Sequence, residues 1–514
     1  MELLQVLFYI SLFILLLAIY KFPLPIRSRK RVLPPSPPGA LPIIGHLRLL
    51  SLSTPLHRTL QTLSTKSNQY ANYMLLKLGT RNLLVLSSPA AVEECFHKND
   101  VTCANRLRTI AYDYYSYNYT TMATSNYGPH WRNLRRITST NIFCPSSLHA
   151  SSGIRHDAVR CLLRELYKST VNKGPQKIDL KLKFYELTFN SVVATLTGEP
   201  IGDGLWHSKE NNWFFELLRS ARVPSLFMAP ADYLPFLRYL DVSKVEKVLA
   251  AKSRQRDEYF TGMIKRFRKE FDVEKKSKTT LDMFFSLQQE DPEQYNDVII
   301  KGIIQVMFTA GIDTSAITLE WAMSLLLNNP ETLKKAVIEL DQNIKPHRLL
   351  EDSDLSNLPY IQCIVQETLR LFPPAPLLLP HESACDFKAD EYDVPSGTII
   401  VANAWAIQRD PKVWAEPDKF MPERFMESLL HGDGKDKFKF MPFGIGRRVC
   451  PGGGLAMRMI PLALGSLLRC FEWEKISDEP IDMTEVVQIL LPKAKALEAL
   501  CRPRSEMLNA LCQL

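Results

Sequence analysis

The chain predicts a mainly α fold with small β-sheets, held in a single large domain behind an apolar N-terminal helix. Three observations carry this. Segments with 3.6-residue periodicity dominate, at roughly 89–98, 129–141, 152–171, 210–221, 243–270, 292–326, 331–343 and 358–371. Signals for β-strands are confined to early and late parts of the chain. No composition break or internal repeat divides residues 40–514, although 514 residues would suggest about three domains by length alone. The composition, 46% hydrophobic and 23% charged, is that of an ordinary globular protein with a large core. The net charge of +8 does not point to nucleic acid, because there is no zinc-finger spacing and no arginine-rich tract.

Residues 1–21 read as a transmembrane signal anchor. Leu3–Tyr20 is apolar except for Gln5 and Ser11, and such a helix would span ~27 Å, about one hydrocarbon thickness. Glu2, not a basic residue, precedes it and no small-residue cleavage site follows, which argues against a cleaved signal peptide. Lys21, Arg27, Arg29, Lys30 and Arg31 cluster on the carboxyl side, so that side is expected in the cytosol. The ten cysteines are then expected as free thiols, and the Asn118-Tyr119-Thr120 sequon as unglycosylated. Pro34-Pro35-Ser36-Pro37-Pro38-Gly39 is a stiff extended linker; residues 22–40 form a basic and proline-rich hinge, and 41–514 the main body.

Met74–Gly79 and Asn82–Leu86 read as a hairpin turning at Gly79-Thr80-Arg81. Between Ala104 and Tyr127 the chain is rich in tyrosine (Tyr112, Tyr114, Tyr115, Tyr117, Tyr119), for which core packing is the ordinary reading. Trp131 and Arg135 stack on one helical face in a basic stretch with Arg132 and Arg136. Arg222–Leu240 is apolar and proline-bearing, and Lys265–Lys278 is a helix end running into a charged loop. Ala310-Gly311-Ile312-Asp313-Thr314-Ser315 interrupts an apolar helix; a kink or a close helix contact would explain it as well as chemistry would. Glu367 and Arg370 are a helical i,i+3 pair, and Arg424 follows in Pro422-Glu423-Arg424-Phe425. A strand is expected at Leu377–Pro380, before His381, a histidine as readily structural as functional.

The most specific segment is Pro442-Phe443-Gly444-Ile445-Gly446-Arg447-Arg448-Val449-Cys450-Pro451-Gly452. Its glycines permit tight turns and close approach to a flat ligand, and its N–H groups and arginine favour a thiolate at Cys450. Phe443, Gly446, Arg448, Cys450 and Gly452 match F-x-x-G-x-R-x-C-x-G, and the chain thereby resembles the cytochrome P450 monooxygenases.

The resemblance implies the P450 fold, haem b as cofactor, Cys450 as iron ligand, and Phe443 and Gly444 against the haem. It implies propionate contacts from Trp131, Arg135, Arg448 and His381, proton delivery to dioxygen by Thr314 and Asp313, and a structural cluster of Glu367, Arg370 and Arg424. Thiolate ligation favours O–O cleavage. With no flavin or nicotinamide fingerprint in the chain, electrons are expected from NADPH through a separate NADPH–cytochrome reductase, docked on basic residues such as Arg132, Arg136, Lys437, Lys439 and Arg447. The proline hinge after an anchor is similar to that of microsomal members, which implies a single-pass protein of the endoplasmic reticulum bilayer.

A small aromatic substrate is expected in a pocket lined by Tyr117, Ala310, Ala375, Leu378, Leu379, Ile489 and Leu490, with Arg222–Leu240 as its membrane-side mouth. Asn118–Met122, Tyr127–Arg136 and Thr318–Ala322 resemble plant isoflavone 2'-hydroxylase-type members, so flavonoids, benzophenones and related plant phenolics are implied. The chain departs from them at Asn105-Arg106-Leu107, where Asn-Arg-Pro is usual, and at Asn68-Gln69-Tyr70-Ala71. Two alternatives stand beside hydroxylation: oxidative phenol coupling or ring closure to xanthones or methylenedioxy bridges, and a non-catalytic membrane haem protein.

Overall fold

The computed structural model describes residues 31–50, 54–199, 201, 230–238, 244–271, 279–431 and 438–514. The anchor, the 210–221 helix, most of the Arg222–Leu240 mouth and Lys437 lie outside them. The helices that build the site are α1 (Ile110–Tyr115), α2 (Pro129–Ile137), α3 (Ser152–Thr170), α4 (Leu180–Thr197), α5 (Lys244–Glu270), α6 (Asp297–Asn328), α7 (Pro359–Leu371) and α8 (Gly453–Cys470). A five-stranded sheet contains β1 (Tyr73–Leu78), β2 (Arg81–Leu86), β3 (Asn105–Arg106), β4 (His381–Glu382) and β5 (Ile399–Ala402), in the order β1-β2-β5-β4-β3. A three-stranded sheet (Gln176–Asp179, Glu498–Pro503, Phe471–Glu474) and a hairpin of Phe387–Ala389 with Tyr392–Val394 complete the small β content.

The expected hairpin is present, with Tyr73 opposite Leu86 and Leu78 opposite Arg81. Gly79 turns it at φ +57°, where a Cβ would overlap the Tyr233 carbonyl. β2 then pairs in parallel with β5, Leu83 against Ile399. Alternation sends Tyr73, Leu75, Leu84 and Leu86 into one core and Met74, Leu76, Leu83 and Val85 into another. Both faces of this sheet are therefore buried, which is why its strands read as continuous apolar runs.

α6 is the axis of the molecule. The Asn296 side chain caps it by accepting from the Val298 and Ile299 N–H groups, and it packs on α4, α7 and α8. Among the described helices it alone is long and apolar enough to cross a membrane, but those neighbours bury more than half of its apolar stretch, as in a core helix. α4 has no counterpart in the periodicity reading. It is buried on most faces, with Glu186, Thr188, Asn190 and Ser191 among the buried residues, so it carries no apolar stripe to detect; Asp179 starts it and Gly198, at φ +73°, ends it.

The strand expected at Leu377–Pro380 is not one. Leu378 adopts a left-handed φ of 55°, and pairing begins only at His381, opposite Arg106 and Ile400. The proline segment is extended as expected, but it is fastened to the body. The Leu75 N–H donates to the Pro35 carbonyl (2.8 Å), His46 bonds the Pro37 carbonyl (2.9 Å), and the Val32 N–H donates to Asp393 (2.9 Å).

Candidate active site

Cys450 lies at the wall of an interior cavity of about 550 Å³ bounded by α6, α4, the 374–381 segment and the 488–492 turn. Its loop is held from within: the Cys450 N–H donates to the Phe443 carbonyl (2.8 Å) and the Val449 N–H to Gly446 (3.1 Å). Gly446, at φ +72°, packs so closely that a Cβ would overlap the Phe96 carbonyl, so this turn requires glycine. The accessible surface of Cys450 opens into the cavity, where it is the one cysteine among the described residues. Burial pushes its thiol pKa up, opposed by the Gly452 N–H, Arg135 and the Gly453 N–H. A coordinated cation would reverse that balance and hold the sulfur as thiolate.

Beside the thiol stands a wall of cations. Arg448 donates to the carbonyls of Ala104 (2.8 Å), Met122 (3.2 Å) and Ser125 (2.5 Å), and Arg135 to that of Val449 (2.7 Å). Arg106 donates to Ala123, Leu379 and Pro380 carbonyls. Among the described residues none of the three has a carboxylate partner. Burial and mutual repulsion push Arg448 down to about 9. His381, bonded through Nδ1 to the Cys103 carbonyl (2.5 Å) and stacked on Phe96, is held well below its usual value by burial and then by Arg106. Such uncompensated charge calls for an anionic ligand. A thiol floor, a glycine cradle and this cation wall fit a haem with two carboxylates. The Trp131 N–H is taken by the Met122 carbonyl (3.1 Å), so Trp131 contributes chiefly its ring, 4.4 Å beneath Arg448.

Across the cavity, α6 presents Ala310, Gly311, Asp313 and Thr314. The Thr314 hydroxyl donates to the Ala310 carbonyl (2.6 Å). The helix assignment is unbroken through the small residues, and a Cβ on Gly311 would lie 3.1 Å from Val192 of α4. The segment thus combines a close helix contact with Asp313 and Thr314 on the cavity wall.

Behind the cysteine loop, Glu367 and Arg370 are fully buried. Arg370 grips both Glu367 oxygens (2.7 and 2.9 Å), Arg424 adds a third bond (3.0 Å), and the Met421 N–H a fourth (2.9 Å). One residue absent from the sequence reading ties this cluster to the loop. Buried Gln408 donates to the Leu369 and Arg370 carbonyls and accepts from the Met441 N–H (2.9 Å).

The cavity brings together Phe443, Gly444, Ala375, Leu378, Leu379, Ile489 and Leu490. Tyr117 does not line it. Tyr117, Asn118 and Tyr119 are consecutively left-handed (φ 48°, 55° and 61°), and this turn places the Tyr117 ring against Arg256 and Asp257 of α5. Tyr112 and Tyr115 face the cavity in its place, with Val192, Arg256 and Gln305, which sequence reasoning missed. Of the basic residues expected at a docking face, Arg447 is already paired with Asp100 (3.0 Å).

Comparison with known proteins agrees with this geometry. The sequence model of the family described as Cytochrome P450 matches residues 34–498. A protein of Catharanthus roseus named Cytochrome P450 81Q32 is 46% identical over 97% of both chains. The (+)-piperitol/(+)-sesamin synthase CYP81Q2 of Sesamum radiatum is 43% identical over 94% of this chain and 93% of its own, and the isoflavone 3'-hydroxylase of Medicago truncatula 42% over 96% and 98%. A solved zebrafish cytochrome P450 structure with progesterone shares the fold, with a TM-score of 0.75 over 88% of this chain and 100% of that one at 24% identity.

Proposed function

The chain belongs to the cytochrome P450 family, and we propose that it oxidises a lipophilic aromatic or phenolic plant metabolite, using O2 and electrons from NADPH through a separate reductase. The observation that carries this is the single cavity thiol, Cys450, facing the small-residue segment of α6. Haem b, ligated by Cys450, supplies the oxygen-activating iron.

The chain's own residues do the rest. The Thr314 oxygen, with its proton on Ala310, turns its lone pairs to the cavity and accepts from a protonated group there; neighbouring Asp313 is the second proton-handling side chain of the segment. Arg106, Arg135 and Arg448 would neutralise the haem carboxylates, and His381, held neutral by burial, would offer a hydrogen bond rather than a charge. The apolar walls exclude water and leave shape to choose the oxidised position. Isoflavone hydroxylases among the relatives support aromatic hydroxylation of this substrate class.

A second reading, oxidative ring closure, is favoured by the sesamin synthase among the relatives. Residues 1–21 serve as the anchor, the expected hinge of residues 22–40 being fastened to the body from Arg31 onward, with the body on the cytosolic face of the endoplasmic reticulum. Microsomes bearing the full chain and a plant reductase, supplied with NADPH and a panel of phenolics, test both reactions by product mass. Hydroxylation adds one oxygen and ring closure removes two hydrogens. Absence of a carbon-monoxide complex typical of thiolate ligation overturns both.

A further inference from the structure

The 488–492 turn supplies Ile489 and Leu490 to the cavity. The Val486 N–H donates to the Pro492 carbonyl (3.1 Å) and the Ala494 N–H to that of Thr484 (2.9 Å), which closes the turn at its base. At that base stands Glu485, whose side chain is only 5% exposed. Both of its oxygens are taken by the helix Leu56–Ser64. His57 Nε2 lies 2.9 Å from one, and the Arg58 guanidinium bonds the other. Burial works against the charge, yet His57 and Arg58 hold the Glu485 carboxyl below its usual range.

The same helix reaches a second wall. The His57 carbonyl accepts from the Asn403 side chain (2.8 Å), and the His57 ring lies 4.8 Å from that of Trp405, over which Arg58 also stacks at 4.7 Å. The Trp405 N–H in turn donates to the Pro376 carbonyl (3.1 Å), between the cavity-lining Ala375 and Leu378. The Leu491 N–H donates to the Pro374 carbonyl (3.0 Å), so the two walls are also tied to each other. Apolar packing follows the same lines. Ile489 and Leu377 rest on the cluster that holds Leu60 and Leu63, and Leu490 on the one that holds Trp405. His57, Arg58 and Glu485 do not themselves line the cavity.

Resting on the reading of this cavity as the site of aromatic oxidation, we propose that His57, Arg58 and Glu485 are positioning residues. They set where Ile489 and Leu490 stand against the substrate, and so which ring position is presented for oxidation. The wall itself is held by apolar contact and a turn, and this charged junction lies behind it. A buried carboxylate has one favoured place, because moving it would part it from both partners without returning it to water. The turn inherits that place. An apolar wall selects by shape alone, so a small displacement of its backbone changes which shape it accepts.

The test uses the full-length holoprotein in microsomes with a plant reductase. Its probes are flavone and isoflavone, which carry the same phenyl ring at neighbouring positions. Two ratios are read: the flavone to isoflavone dissociation constants, from the perturbation of the haem spectrum, and the hydroxylated isomers formed from each. Arg58→Met is expected to shift both ratios about threefold with the carbon-monoxide complex intact, and Glu485→Gln to shift them the same way. Arg58→Lys, which keeps the charge, is expected to hold wild-type values. A plain loss of stability would lower the holoprotein yield and leave the ratios alone. Wild-type ratios in Arg58→Met and Glu485→Gln overturn the proposal, as does an Arg58→Lys displaced as far as Arg58→Met. So does a wild type that binds neither probe. If one of Arg58→Met and Glu485→Gln fails to form holoprotein, the other decides; if both fail, the junction serves folding and the proposal falls. Unchanged ratios with the probes still oxidised refute the positioning role alone, whereas a wild type that oxidises no aromatic refutes the wider function.

Discussion

The two sides of the cavity are built on opposite plans. Behind Cys450, each polar group that matters is bonded several times over: Glu367 receives four hydrogen bonds, and Gln408 links its helix to the loop. On the substrate side, Tyr117–Tyr119 and Leu378 are left-handed, and the cavity walls are largely apolar. The first plan fixes one geometry for the loop that carries Cys450. The second tolerates replacement, because its walls are held by apolar contact and turns rather than by a closed network.

Substitutions separate the two sides, and the largest effects fall behind the thiol. Cys450→Ser is expected to abolish turnover and the thiolate-type carbon-monoxide spectrum; retained turnover refutes the ligand assignment. Glu367→Gln breaks a buried charge cluster at a cost of about 3–5 kcal/mol, so holoprotein yield should fall to a small fraction of wild type. Gln408→Leu orphans the Met441 N–H and is expected to cost about 1–3 kcal/mol, seen as earlier thermal loss of the bound haem. If it matches wild type, the cluster and the loop are not coupled through this residue.

Across the cavity, Thr314→Ala should leave O2 consumption in place and lower product formed per O2 severalfold; unchanged coupling removes its proton role. Smallest of all, Tyr117→Phe should shift substrate binding by less than about twofold, since the ring lies outside the cavity; a larger loss would return Tyr117 to the pocket.

The same contrast governs what was legible in the chain. The cysteine loop and the Glu367–Arg370–Arg424 cluster depend on fixed backbone spacings, so residue identity points to them. The β1–β2 hairpin was also readable, because Gly79 punctuates two apolar runs. α4 was hidden by burial on all sides. Arg256 and Gln305 reach the cavity only through tertiary packing of α5 and α6, and nothing local distinguishes Arg256 from its charged helix neighbours. Tyr117 was misplaced because a tyrosine-rich stretch does not announce three successive left-handed residues. Gln408 is a single buried amide whose partners lie 33 to 39 residues away.

The fastening of the proline segment has a mechanical meaning. Arg31 is tied to Asp386 (2.6 Å), Val32 to Asp393, and Pro35 to β1. Force entering the body from the N-terminal side therefore meets the Phe387–Val394 hairpin first and reaches the central sheet only after those exposed contacts have parted. The hairpin acts as a cleat that holds residues 31–35 against the body.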